Sequence, residues 1–173
     1  VQTLLGRFKD EGEDWLVRSD AADALVELGS SLGGHSDLLT DTVQTLLGRF
    51  KDREEDRNVR QSAAYALVGL APFLGGHPDL LTDTVQTLLD RVKDKKEDGD
   101  LRWSAIRALG GLCPSLAGQP GLLIDTVQAL RDRLKDKGED GDVSSHAARI
   151  LAGLAPSLGG QPGLLTDTVQ TLL

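Results

Sequence analysis

The chain has one cysteine, no methionine and six aromatic residues among its 173. A lone thiol, Cys113, cannot build a disulfide framework, which favours a reducing, cytoplasmic setting. No apolar run approaches the ~20 residues of a membrane span. No leader segment opens the chain, and no stretch alternates with the two-residue period of a strand. Basic charge is also scarce. Lys and Arg total 19 against 27 Asp and Glu, a net charge of −8. A protein that neutralises many phosphates needs the opposite balance, so nucleic acid and anionic membranes are not expected partners.

What the chain does have is repetition. Four copies of a 42-residue unit run 1–42, 43–84, 85–126 and 127–168, and a fifth begins as VQTLL at 169–173. The first two units agree at 30 of 42 positions. A fixed period of this size is the signature of stacked helical repeats, so 1–173 reads as one array. It starts in mid-pattern without methionine, as a piece of a longer chain would.

Each unit reads as two helices. Leu81, Val85, Leu88, Leu89 and Val92 repeat at helical spacing, and Pro78 suits a first helical turn. Val59, Ala63, Ala66, Leu67, Leu70 and Leu74 form a second apolar stripe. Gly69 and Pro72 are expected to kink or end that helix early, and Gly75-Gly76 to close it at positive φ. Neither helix buries its stripe alone, so units must stack, and Ala63, Ala64 and Ala66 allow close approach.

The run Asp56…Val59-Arg60…Ala63-Ala64…Ala66-Leu67 resembles the core of HEAT repeats. It recurs at Asp14…Val17-Arg18…Ala21-Ala22 and at Asp98…Leu101-Arg102…Ala105, while the fourth unit has Ser144 in place of arginine. The resemblance implies an all-α, right-handed superhelix, a HEAT-like solenoid of four 42-residue helical hairpins. It also implies an aspartate–arginine ladder in which Arg18, Arg60 and Arg102 are structural and Ser144 leaves a gap. HEAT is a scaffold, so it implies a shape and no activity.

The copies differ mainly on the second helix. Its columns read Trp15, Arg57, Gly99, Gly141; Leu16, Asn58, Asp100, Asp142; Ser19, Gln61, Trp103, Ser145; Asp20, Ser62, Ser104, His146; and Asp23, Tyr65, Arg107, Arg149. Glu27 stands opposite Gly69, Gly111 and Gly153. At 100° per residue these columns lie across from Val17, Ala21, Ala24, Leu25 and Leu28, on the side expected to be exposed. In HEAT arrays that side lines the concave surface. Drift alone would also diversify the first helix, yet Asp41, Asp83, Asp125 and Asp167 are constant, as are Gln44, Gln86, Gln128 and Gln170. Both tryptophans and the only tyrosine fall in the variable columns, and Trp, Tyr and Arg dominate binding hot spots. The candidate binding residues are therefore Trp15, Ser19, Asp23, Arg57, Gln61, Tyr65, Trp103, Arg107, Ser145, His146 and Arg149.

Catalysis, cofactor and metal find no foothold. His35 and His77 share a loop column with Gln119 and Gln161, which argues for a turn role rather than a ligand. The acidic turns lack the glycine and alternating ligands of a calcium loop, and Cys113 replaces Gly29, Ala71 and Ala155 as a small packing residue. Arg131 stands where other units have leucine, by snorkelling or by a different packing.

The expected function is recognition of a protein or peptide partner. Near-identical units differing on one face are similar to the ligand-sensing arrays of NACHT-type immune receptors. The alternatives are a HEAT-like bilin lyase acting on phycobilisome subunits and an engineered consensus scaffold. A HEAT-like DNA glycosylase would need a basic face, whereas Arg57, Arg107 and Arg149 mix with Asp20, Asp23, Glu27, Asp100 and Asp142. Apolar residues at the two ends (Val1, Leu4, Leu5 and Phe8; Leu165, Val169, Leu172 and Leu173) lead to an expectation of head-to-tail self-association.

Overall fold

A computed structural model describes residues 1–160 and 162–173, including their side chains except those of Ala117 and Ser157. Among the described residues the chain is all-helical, with no strand. It divides into two compact units, Val1–Thr87 and Leu88–Leu173.

In the first unit, α1 (Gln2–Lys9) packs on α2 (Trp15–Glu27), and the short α3 (Gly29–Gly33) follows. Helix α4 (Ser36–Lys51) packs on α5 (Arg57–Leu74), and α2 lies against α5. Helix α6 (Pro78–Lys93) carries the boundary between the units. In the second, α7 (Gly99–Leu112) packs on α9 (Gly141–Leu154), and α8 (Pro120–Lys135) packs on α9. The last helix, α10 (Pro162–Leu172), rests on α8 and α9. Cys113–Gly118 and Ala155–Leu158 are 3₁₀ turns that extend α7 and α9.

Local chemistry accounts for the helix boundaries. Asp14, Asp56, Asp98 and Asp140 are N-caps whose side chains accept backbone N–H groups two residues on, at 2.8–2.9 Å. The repeated D of the HEAT-like run is therefore a cap. Pro120 opens α8 and Pro78 opens α6, where a missing N–H costs nothing. The expected stripes are buried: Leu39, Val43, Leu46, Leu47 and Phe50 of α4 meet Val59, Ala63, Leu67, Leu70 and Leu74 of α5. Thr42, Thr84, Thr126 and Thr168 are also fully buried. Each hydroxyl donates to the carbonyl four residues back at 2.7 Å, so a polar group enters the core satisfied.

Several expectations need correction. No described residue, glycine included, has positive φ, and Gly75 caps α5 in right-handed helical geometry. Pro72 does not end α5, which runs on to Leu74. Having no N–H, Pro72 leaves the Val68 carbonyl without its bond from four residues on, and α5 closes two residues later. The break after α2 comes without proline. There the Phe73 ring lies so close to Gly29 and Gly33 that a Cβ on either would meet it at 2.5 or 2.7 Å. Gly69 is not an exposed recognition position, since a Cβ there would come within 2.2 Å of Val26. Val17, placed on the buried side by helical spacing, is 38% exposed, whereas its counterparts Val59, Leu101 and Val143 are buried. The leading residues Leu5 and Phe8 are buried on α2, while Leu16 and Val17 of α2 and the trailing Val169, Leu172 and Leu173 are exposed.

Arg131 is held by a specific pairing. It is 8% exposed, its Nε donates to Thr171 Oγ1 at 3.2 Å, and its Nη1 lies 3.3 Å from Asp167 Oδ2.

Candidate recognition face

The arginines of the HEAT-like run are held inside the fold, and the carboxylates that Arg18 and Arg102 meet are glutamates. Arg18 is buried, its Nε donates to the Phe8 carbonyl at 3.0 Å, and its two Nη groups reach Glu55 Oε1 and Oε2 at 2.8 and 2.5 Å. Arg60 Nε donates to the Phe50 carbonyl at 3.1 Å, and Arg102 pairs with Glu139 at 2.7 Å. A second arginine, six residues before each glutamate, completes the node. Arg49 meets Glu55, Arg91 meets Glu97 and Arg133 meets Glu139, at 3.1–3.2 Å, and Arg7 pairs with Glu13. Burial alone would raise the Glu55 carboxyl. Hydrogen bonds from Arg18 and the Asp56 N–H, with the charges of Arg18 and Arg49, outweigh it and hold the group below the ordinary range. The signal was present in the sequence as an invariant Arg at 7, 49, 91 and 133 and an invariant Glu at 13, 55, 97 and 139.

With the scaffold arginines assigned, the candidate binding residues can be placed. In the first unit Trp15 is 40% exposed at the first turn of α2. It borders a groove of about 380 Å³ with Glu11, Glu13, Arg18, Asp52, Glu54, Glu55 and Asp56. Asp23 and Arg57 are exposed, and Gln61 and Tyr65 are half-buried. Ser19 does not face outward freely, because its Oγ lies 2.6 Å from Ser62 Oγ and links α2 to α5.

In the second unit four of the candidates come together. The Arg107 guanidinium lies 5.6 Å over the Trp103 ring, and the Trp103 and His146 rings are 5.1 Å apart at 50°. Arg149 Nη2 donates to His146 Nδ1. Arg107 and Arg149 are exposed and Trp103 is half-buried. His146, expected on the exposed side, is only 7% exposed, a correction that follows from α7 packing on α9. Burial first, then the charges of Arg149 and Arg107, push the imidazole below its ordinary pKa. The ring is a neutral acceptor between two cations. Ser145, beside it, is exposed.

Elsewhere, backbone closure explains the histidine column. The N–H groups of His35, His77 and Gln119 each donate to the leucine carbonyl three residues back. Gln161 lies outside the described residues. Cys113 donates to the Leu109 carbonyl at 3.2 Å, and burial pushes its thiol up to about 11, so it stays protonated at neutral pH. Among the described residues no three His, Cys, Asp or Glu side chains are grouped to hold a metal ion, and no helix is long and apolar enough to cross a membrane.

No family model matches the chain, and no curated protein matches it. Solved structures do share its fold. Two crystal structures from the Northeast Structural Genomics Consortium, each described as an engineered protein, are similar to it. One superposes with a TM-score of 0.64 at 21% identity, over 96% of this chain and 67% of its own. The other gives 0.65 at 20%, over 96% and 68%.

Proposed function

We propose that the chain is a HEAT-like α-solenoid that recognises a protein or peptide partner through the outer face of its second helices, without catalysis and without a cofactor. One observation carries the reading: the second helices differ between units in five neighbouring columns, those of Trp15, Leu16, Ser19, Asp20 and Asp23, while the exposed Gln44, Gln86, Gln128 and Gln170 of the first helices stay constant. The clustering of Trp103, Arg107 and Arg149 supports it, since these residue types dominate hot spots. The proposed setting is the ligand-sensing array of a cytoplasmic NACHT-type receptor. The test is selection of binders from displayed random dodecapeptides. Binding is expected to fall on Asp23→Ala, Tyr65→Ala, Arg107→Ala or Arg149→Ala and to survive Gln44→Ala and Gln128→Ala. The reverse pattern rejects the reading.

A second reading, an engineered repeat scaffold, draws support from both similar solved structures being engineered proteins. It implies hyperstability, a melting temperature above about 90 °C. An ordinary mesophilic melt argues against it.

A further inference from the structure

The groove beside Trp15 has a counterpart in the second unit, and the two differ in the residue that spans them. The second groove, about 300 Å³, lies between the turns that lead into α7 and α9. Lys95 crosses it, with Nζ 2.5 Å from Asp136 Oδ2. That contact comes first among the causes that hold the Asp136 carboxyl below its ordinary range. In the first groove, about 380 Å³, Glu11 stands in the column of Lys95 and Asp52 in that of Asp136. The ammonium that joins the turns of the second groove is thus replaced by a second carboxylate. Glu54 stands where the second groove has Gly138, and Trp15 where α7 begins with Gly99. The other units carry Arg53 and Lys137 in the Glu11 column, so the charge reversal belongs to this groove alone. Arg18 borders the groove but is committed to Glu55, and Arg49 meets Glu55 and Glu11. The Glu11 side chain is 75% exposed, so its pair with Arg49 is a weak surface contact. Asp52 and Glu54 take part in no ion pair among the described residues, and the Glu54 N–H donates to Asp52 Oδ1 at 3.0 Å. Residues 1–87 hold 15 Asp and Glu against 8 Lys and Arg, so most of the chain's net charge of −8 lies in the unit that carries this groove.

We propose that the groove bounded by Glu11, Trp15, Asp52 and Glu54 takes a lysine or arginine side chain of a basic protein segment. The cationic head lies between the carboxylates of the two turns, and the methylene stem lies along the indole. The proposal rests on the reading of Trp15 as a recognition position and adds the chemistry of the partner. The partner supplies from outside the charge that Lys95 supplies from within the second unit. Trp15 is 40% exposed and offers a ring on which a long cationic side chain can pack. A bare metal ion fits less well, since among the described residues no three carboxylates converge to hold one.

Random dodecapeptides displayed on phage, selected on the full chain, test this. Basic peptides from the pool are then labelled with fluorescein and titrated by polarisation. The selected pool is expected to be enriched in Lys and Arg over the library. Affinity should fall about tenfold or more in Glu11→Lys, which restores opposite Asp52 the residue type found at Lys95. It should fall similarly in Asp52→Asn, which removes the charge and keeps an oxygen for the Glu54 N–H. Both residues are exposed, so melting curves of the two variants should match the parent. The chain has two tryptophans, and saturating peptide should shift the indole N–H resonance that is lost in Trp15→Ala. A pool without basic enrichment, a pool with no binders, or basic peptides bound equally by the Glu11→Lys, Asp52→Asn double variant overturns the proposal. So does binding that shifts the Trp103 indole resonance and leaves that of Trp15 in place. Non-basic binders lost on Asp23→Ala or Arg149→Ala would sink this proposal and leave the recognition-face reading standing. Binders indifferent to the groove variants and to every second-helix change would sink both.

Discussion

At the residue scale the decisive group is Glu55, whose side chain is almost fully buried between Arg18 and Arg49. Removing one partner of a buried ion pair costs more than the pair itself contributes, because the remaining charge is stranded. Arg18→Ala is therefore expected to destabilise the chain by about 3 kcal/mol, the lower end for buried pairs, since Arg49 still reaches the carboxylate. Urea unfolding measures it, and a loss under about 1 kcal/mol would show the node to be incidental. Acid acts on two of these residues. The folded pKa of His146 is depressed, so stability is full above the ordinary imidazole value near 6.5 and declines as pH falls below it. The carboxyl of Glu55 is depressed as well, so its contribution is lost at lower pH, from about 4.5 downward. Denaturation between pH 8 and 5 should show the first decline in the parent and a weaker one in His146→Gln.

At the scale of the element, two glycines with opposite roles provide a test. Gly48 lies inside α4 with nothing within 4 Å of an added Cβ. Gly48→Ala is expected to stabilise by up to about 1 kcal/mol through helix propensity. Gly69 lies inside α5 with Val26 of α2 at 2.2 Å from an added Cβ. There overpacking, at about 1–3 kcal/mol, exceeds the propensity gain, so Gly69→Ala should destabilise. Thermal melts that move both variants in the same direction would contradict the close α2–α5 packing. The helical periods, the N-terminal prolines and the buried stripes of α4 and α5 were legible in the sequence, because a 3.6-residue period states which side is apolar. The behaviour of Pro72 and Gly75 was not. Nor was the seat of Phe73, whose ring on α5 packs against Gly29 and Gly33 of α3, since a contact between helices is not part of either helix's period.

For the whole molecule the exposed apolar residues of α10 matter. Leu5 and Phe8 are covered, but Val169 is 44% exposed and Leu173 fully so. The expected result is concentration-dependent association of this chain through α10, weakened by Val169→Ser with Leu172→Ser. Sedimentation across a hundredfold concentration range checks it, and a strict monomer throughout would reject it. The association expected from sequence was head to tail. Leu5 and Phe8 are withdrawn from such a contact, while Leu16 and Val17 of α2 and Val169 and Leu172 of α10 stay exposed.

The sequence by itself determined the all-helical class, the 42-residue period and the concentration of differences on the second helices, because each is a one-dimensional pattern. It also contained the invariant arginine and glutamate columns. Only tertiary structure decided which carboxylate each arginine meets. Asp56 and Glu55 are adjacent in the chain, yet one caps α5 and the other receives Arg18 from α2. Tertiary structure also decided that Ser19 joins Ser62, that Arg131 answers to α10, and that His146 goes inside beside Trp103. Helical spacing assigns a direction around one axis. What a side chain meets in that direction is set by the neighbouring helix.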